Sequence, residues 1–71
     1  MNSEDELIYD LIFSEQFQFT IDLSNYVSDL DDYEEFVEKI REILKKSKVK
    51  IIKSFVIVDS KTVKWELKVS K

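Results

Sequence analysis

The 71 residues carry 15 acidic and 11 basic side chains, a net charge of −4, and contain no cysteine, histidine, glycine or proline. A chain of this length supports one small domain, 1–71, and without cysteine it has neither disulfides nor thiolate metal sites. Because histidine, the commonest general base and metal ligand, is also missing, we expect no enzyme activity, no metal site and no cofactor.

The charges separate along the chain. Residues 1–42 hold thirteen acidic and two basic side chains, a net of −11, whereas residues 43–71 hold nine lysines and two acids, a net of +7. Such an uneven charge distribution affects the electrostatic attraction and choice of binding partners more than it affects the fold.

No secretory signal and no apolar run of membrane-spanning length is visible, and the first residues are acidic where a signal peptide would be basic. We therefore expect a cytoplasmic protein, or one in the host cytoplasm if it is viral, with no membrane partner.

Residues 3–15 have the period of an amphipathic helix. Its apolar side chains fall on one face: Leu7, Ile8, Leu11 and Ile12. Ser3 and Glu6 have the spacing of a capping box. Residues 17–23 then alternate between apolar and polar side chains, which predicts a strand with one solvated face.

A second, longer helix is predicted over residues 29–47. Its apolar positions recur at steps of three and four residues: Leu30, Tyr33, Val37, Ile40 and Leu44. Ser28 or Asp29 can cap it, and acidic residues at its start and lysines at its end suit the helix dipole.

The last third predicts a β-hairpin, with strands Val49–Val58 and Thr62–Val69 around a turn at 59–61. The second of these strands alternates cleanly and places Trp65 among the inward side chains. The first is apolar on both sides. Alternation places four apolar side chains on one side of this strand, Val49, Ile51, Phe55 and Ile57. It places three on the other side, Ile52, Val56 and Val58.

The predicted class is therefore α+β, in the order α-β-α-β-β, with a three-stranded sheet and the long helix packed on one face. Two strand orders remain open, and we favour the one in which the last strand lies between the other two. The first helix has two alternatives: it covers the far face of the sheet, or it lies beside the long helix and leaves that face open.

Acidic side chains on and before the long helix form the first candidate site. The candidate protein-binding residues are Asp31, Asp32, Glu35, Glu38 and Glu42. On a helix several of these are neighbours on one exposed face, and such a ridge suits a basic groove of a partner protein. The alternative is an ordinary solvated helix face.

Lysines in the hairpin form the second candidate, a nucleic-acid surface. Its residues are Lys50, Lys53, Lys64 and Lys68. Lysines neutralise phosphates and nearby aromatic rings stack on bases. Two features argue against it: Trp65 is expected in the core, and Lys64 and Lys68 have the character of charges that blunt an exposed edge strand.

The third candidate site is an apolar surface patch of Ile52, Val56 and Val58. If the first helix leaves these residues uncovered, a homodimer would bury them, and the alternative is intramolecular coverage by that helix.

The function that we infer from the sequence is a small, acidic, non-catalytic module that binds another protein. The alternative is a nucleic-acid-binding protein that uses the lysine-rich hairpin. Viral and plasmid accessory proteins, including inhibitors of host proteins or of nucleic-acid enzymes, share this size and charge, and the analogy extends no further.

Overall fold

The structure, a computed structural model, describes residues 4–71 apart from the side chain of Leu30. Its elements are α1 (Glu4–Phe13), β1 (Gln18–Asp22), two 3-10 turns (Leu23–Asn25 and Leu30–Asp32), α2 (Tyr33–Lys46), β2 (Lys50–Val58) and β3 (Val63–Ser70). The predicted α+β class and α-β-α-β-β order are confirmed. The predicted roles of Ser3 as a cap and of the Leu30 side chain in the helix stripe lie outside the described residues.

The three strands form one antiparallel sheet in the order β1-β3-β2. Ile21 of β1 and Val56 of β2 both lie opposite Trp65, so β3 is the central strand. This confirms the favoured strand order. Because β1 and β2 are both antiparallel to β3, they run parallel to each other, and α2 is the crossover that joins them.

Both helices pack on the same face of the sheet. Leu11 of α1, Ile40 of α2 and Trp65 of β3 are fully buried in one core cluster. The Lys39 ammonium lies 2.6 Å from the Glu4 carboxylate and joins the two helices at the surface. The first helix therefore lies beside the long helix, and no element among residues 4–71 covers the other face of the sheet.

Without glycine, the turns depend on polar residues. The Asp29 carboxylate accepts a hydrogen bond of 3.0 Å from the backbone N–H of Asp31 and closes the 3-10 turn ahead of α2. The prediction that Ser28 or Asp29 caps the long helix is wrong, because α2 begins after Asp32, whose side chain makes no capping hydrogen bond. At the other end of α2, Lys48 has a φ of 63°, where glycine is usual. Val49 donates its N–H to the carbonyl of Leu44 and Lys48 to that of Lys45, the pattern of a Schellman motif.

The predicted faces of β2 are wrong because the strand contains a β-bulge. Register with β3 shifts between Ile51 and Lys53, so Ile52 is an extra residue. The bulge puts Ile51 and Val56 on the same side, where both pack against the core. Phe55 therefore lies on the opposite side from Ile51, not on the same side as predicted.

Candidate functional site

The side of the sheet that faces away from both helices is here called the open face. Directly opposed residues in an antiparallel pair share a face, so the register defines its members. They are Gln18, Thr20 and Asp22 of β1, Lys64, Glu66 and Lys68 of β3, and Lys53, Phe55 and Ile57 of β2. The polar members of β1 are those that the sequence predicted on a solvated face.

Apolar side chains on the open face are unusually exposed. Phe55 is 41% and Ile57 49% exposed, although they sit next to the central strand. Elsewhere on β2, Ile52 at the bulge is 57% exposed, and Val58, on the helical side at the end of the strand, is 62% exposed. Large apolar side chains grouped on a solvent-facing surface are typical of interaction sites.

The lysines on the open face are brought together by strand pairing. Lys53 lies directly opposite Lys68, and the Lys53 ammonium sits 5.1 Å from the centre of the Phe55 ring. Like charges directly opposite each other are unfavourable unless an anionic group approaches them. Lys64 is on the same face, opposite Asp22. The prediction that Lys64 and Lys68 blunt an edge strand is wrong, because β3 is central.

Two carboxylates on the open face partly neutralise its positive charge. The Thr20 hydroxyl, 3.0 Å from both oxygens of Glu66, donates to that carboxylate at the middle of the face. At the end of β1, hydrogen bonds from the Ser24 hydroxyl and backbone N–H lower the pKa of Asp22 below its ordinary value of 3.8, with a further contribution from Lys64. The open face therefore combines lysine ammonium groups, carboxylate acceptors and apolar side chains.

The fourth predicted lysine is separate from this group. Lys50 lies before the bulge and borders a groove of about 480 Å³ between α2 and β2. Charged side chains dominate its lining, among them Glu42, Arg41 and Lys45.

The predicted acidic residues lie on the opposite side of the molecule from the open face. Glu35, Glu38 and Glu42 are exposed on the outer side of α2, and Asp31 and Asp32 are exposed in the 3-10 turn before it. Arg41 donates to Glu38 at 3.1 Å. The separation of charge along the sequence becomes only partly a separation of layers, because α1 carries four acidic and no basic side chains whereas α2 carries four of each.

The predicted apolar patch is divided. Val56 is half-buried and packs against the core, whereas Ile52 and Val58 are exposed at different points of β2. The open-face residue that sequence reasoning missed is Ile57, whereas Phe55 is one of the aromatic rings that it expected near the lysines. Lys53 interrupts the apolar pattern of β2, and this interruption is the sequence signal of the bulge that places Phe55 and Ile57 on the open face.

Among residues 4–71, no three carboxylates are grouped closely enough to hold a metal ion. None of the helices in this part of the chain is long and apolar enough to cross a membrane. Comparison with protein-family models, with curated proteins and with solved structures gives no match.

Proposed function

We propose that this chain is a non-catalytic protein-binding protein, acting in the cytoplasm, whose binding surface is the open face of the sheet. The observation that carries the proposal is the exposure of Phe55 and Ile57 among lysines on a face that no described element covers. Burying those apolar groups against a partner supplies the favourable free energy of association.

The chemistry of the open face defines the partner. Lys53, Lys64 and Lys68 attract an acidic surface, and Phe55 and Ile57 require an apolar group at its centre. Glu66 supplies an acceptor for a donor on the partner. The surface therefore fits an acidic protein segment that carries at least one large apolar side chain.

The acidic part of the helical layer sets the orientation of the complex. The four carboxylates of α1, with those of Asp31 and Asp32 before α2, repel the same acidic partner that the lysines attract. The two layers together direct the partner to the open face, and the ionic strength of the solution modulates the rate of its approach.

The proposal is tested by affinity capture from the source cell with three baits. These are the wild-type chain, a Phe55→Gln/Ile57→Gln variant, and an Asp31→Lys/Glu35→Lys/Glu38→Lys variant as the matched control on the helical layer. A captured protein is then purified and titrated against all three baits. We expect binding to the wild type and the control, and loss of binding with the open-face variant.

Loss of binding in the helical-layer variant alone would move the site to the predicted acidic residues. Equal binding by all three baits would overturn the proposal for either surface. Folding of each variant is checked by the fluorescence of buried Trp65.

A second candidate function, binding of single-stranded nucleic acid on the same face, is favoured by one observation. Lys53 and Lys68 oppose each other beside the exposed Phe55 ring, so a phosphate would relieve their repulsion while a base stacks on the ring. Glu66 at the middle of the face opposes it.

Titration of labelled single-stranded DNA and RNA separates the two candidates. If nucleic acid is the ligand, a Lys53→Gln/Lys68→Gln variant binds more weakly and the affinity of the wild type falls steeply as salt rises. No binding at low salt would eliminate this candidate and leave the protein partner.

A further inference from the structure

The outer edge of β2 carries backbone groups that point away from the sheet. Asp59 donates its N–H to the carbonyl of Thr62 at 2.8 Å, which makes these two residues a hydrogen-bonded pair. Such pairs alternate along an antiparallel ladder, so Lys53, Phe55 and Ile57 bond to β3. The N–H and C=O groups of the residues between them, Ser54, Val56 and Val58, therefore face outward.

The other free edge, that of β1, is shorter, and its first outward carbonyl is occupied. On β1, Phe17 accepts a hydrogen bond from Val69, so the backbone of Gln18 faces outward, and the Gln16 amide donates to its carbonyl at 2.5 Å. On β2, the bulge at Ile52 interrupts the regular edge before Lys53. Among residues 4–71, the longest regular unpaired edge is thus residues 53–59, which carry exposed apolar side chains.

We propose that a second copy of this chain pairs with β2 along this edge, antiparallel, with the two-fold axis at Val56. In that register Val56 lies opposite its own copy and Ser54 lies opposite Val58 of the second chain. All three outward residues of each chain then donate and accept a backbone hydrogen bond, and no other register pairs all of them. The inference is independent of the partner proposed for the open face.

Side chains on the open face are complementary in this register. Phe55 lies opposite Ile57 of the second copy, and Lys53 lies opposite Asp59, a pair of opposite charge. A shift of the pairing by two residues in one direction would set Ile57 against Lys53. The opposite shift would set Phe55 against Asp59 and Lys53 against Lys61. Apolar and charge pairing therefore select the same register as the backbone.

Side chains on the helical side also fit. Val58 of the second copy lies opposite Ser54, next to a groove of about 360 Å³ between α2 and β2 that Tyr33 and Val37 help to line. Val58 is 62% exposed in one chain and becomes covered in the pair. The result is a continuous six-stranded sheet with two open faces joined at their apolar ends.

The absence of cysteine makes the register directly testable by disulfide cross-linking. A Phe55→Cys chain is mixed with a Ile57→Cys chain under mild oxidation. In the proposed register these two positions form a non-hydrogen-bonded pair with Cα atoms about 4.5 Å apart, which a disulfide spans. Two copies of the same variant place their cysteines about 7–8 Å apart, at or beyond that reach.

We expect a disulfide-linked dimer in the mixture and little in either variant alone. Efficient cross-linking of the Phe55→Cys chain with itself would overturn the register. Absence of cross-linking in every sample would overturn the pairing.

Sedimentation equilibrium of cysteine-free chains gives a second readout. Val58→Pro removes an outward N–H on β2, and Thr20→Pro is the matched control because its N–H faces outward on β1. We expect Val58→Pro to raise the dimer Kd by about 30-fold, since two of the paired backbone hydrogen bonds are lost, and Thr20→Pro to leave it unchanged. A wild-type chain that stays monomeric up to millimolar concentration, or an equal effect of the two variants, would contradict the proposal.

Discussion

The indole N–H of Trp65 donates a hydrogen bond of 2.8 Å to the hydroxyl of Ser54 across the β2–β3 hairpin. Trp65 is fully buried at the centre of the sheet, so its N–H has no access to water. Ser54 is the only polar side chain on the helical side of β2 after the bulge. Because the Ser54 hydroxyl accepts this hydrogen bond, the polar N–H of Trp65 can be buried with its apolar ring in a small core.

Replacing Ser54 with alanine tests this relationship. The buried indole N–H would lose its acceptor, and we expect the free energy of unfolding to fall by about 1–3 kcal/mol. Urea denaturation followed by Trp65 fluorescence measures the change. Ser70→Ala, at an exposed position of β3, is the control and should be close to neutral; an equally small effect at Ser54 would show that the hydrogen bond contributes little.

Reversing one charge on the open face tests the electrostatics of the lysine pair. Lys68→Glu would place a carboxylate opposite Lys53, and we expect stability at low salt to rise by about 0.2–1 kcal/mol. The gain should shrink as salt screens the pair. Thermal denaturation at several salt concentrations measures it. Lys61→Glu, in the exposed turn, is the control, and an equal gain there would assign the effect to net charge.

The left-handed backbone at Lys48 offers a way to stabilise the protein. Lys48→Gly would relieve the cost of a side chain at a φ of 63°, which exceeds the added entropy of glycine in the unfolded chain. We expect the free energy of unfolding to rise by about 0.5 kcal/mol. Glu42→Gly, at an exposed position inside α2, should lower it by about 1 kcal/mol. A loss of stability in both variants would contradict the role of the Schellman motif.

The hydrogen bonds to Asp22 predict a dependence on pH. Because its folded pKa lies below the ordinary value of 3.8, Asp22 contributes stability above that pH and loses the contribution as pH falls through the folded pKa. Ser24→Ala removes the hydroxyl donor, 2.6 Å from the carboxylate, and should raise the pKa of Asp22. An NMR titration of the carboxyl carbon measures the shift.

The Ser24→Ala variant should also lose stability relative to the wild type at neutral pH and match it in strong acid, where Asp22 is protonated in both. Ser28→Ala, at another exposed serine, serves as the control. An unchanged pKa in Ser24→Ala would show that the backbone N–H alone accounts for the shift.

Local periodicity was sufficient to predict most of the architecture. Alternation along β3 and the helical stripe of α2 correctly marked Trp65, Val37, Ile40 and Leu44 as buried, because one-sided burial repeats at the period of the element. The long helix is shorter than predicted, since residues 30–32 form a 3-10 turn before α2 begins at Tyr33. Helix-favouring acidic residues extend across that boundary, so composition did not reveal it.

The candidate site was only partly predictable. Lys53, Lys64 and Lys68 were identified as residues, but the bulge at Ile52 decides that Lys53 and Phe55 share a face with Lys64 and Lys68. A bulge changes which side chains share a face, and a strand that is apolar on both sides gives no alternation from which to locate it. For the same reason, the predicted patch of Ile52, Val56 and Val58 does not form one surface.

The amino-acid sequence by itself determined the order of the elements, the inward position of Trp65 and the polarity of charge between the two halves of the chain. Each of these follows from the residue types and from spacing within one element. Only the tertiary structure decided that β3 is central, that α1 lies beside α2 and that the open face carries lysines with Phe55. Those outcomes depend on contacts between residues far apart in the chain, where several packings bury the same apolar stripes and only their relative free energies select one.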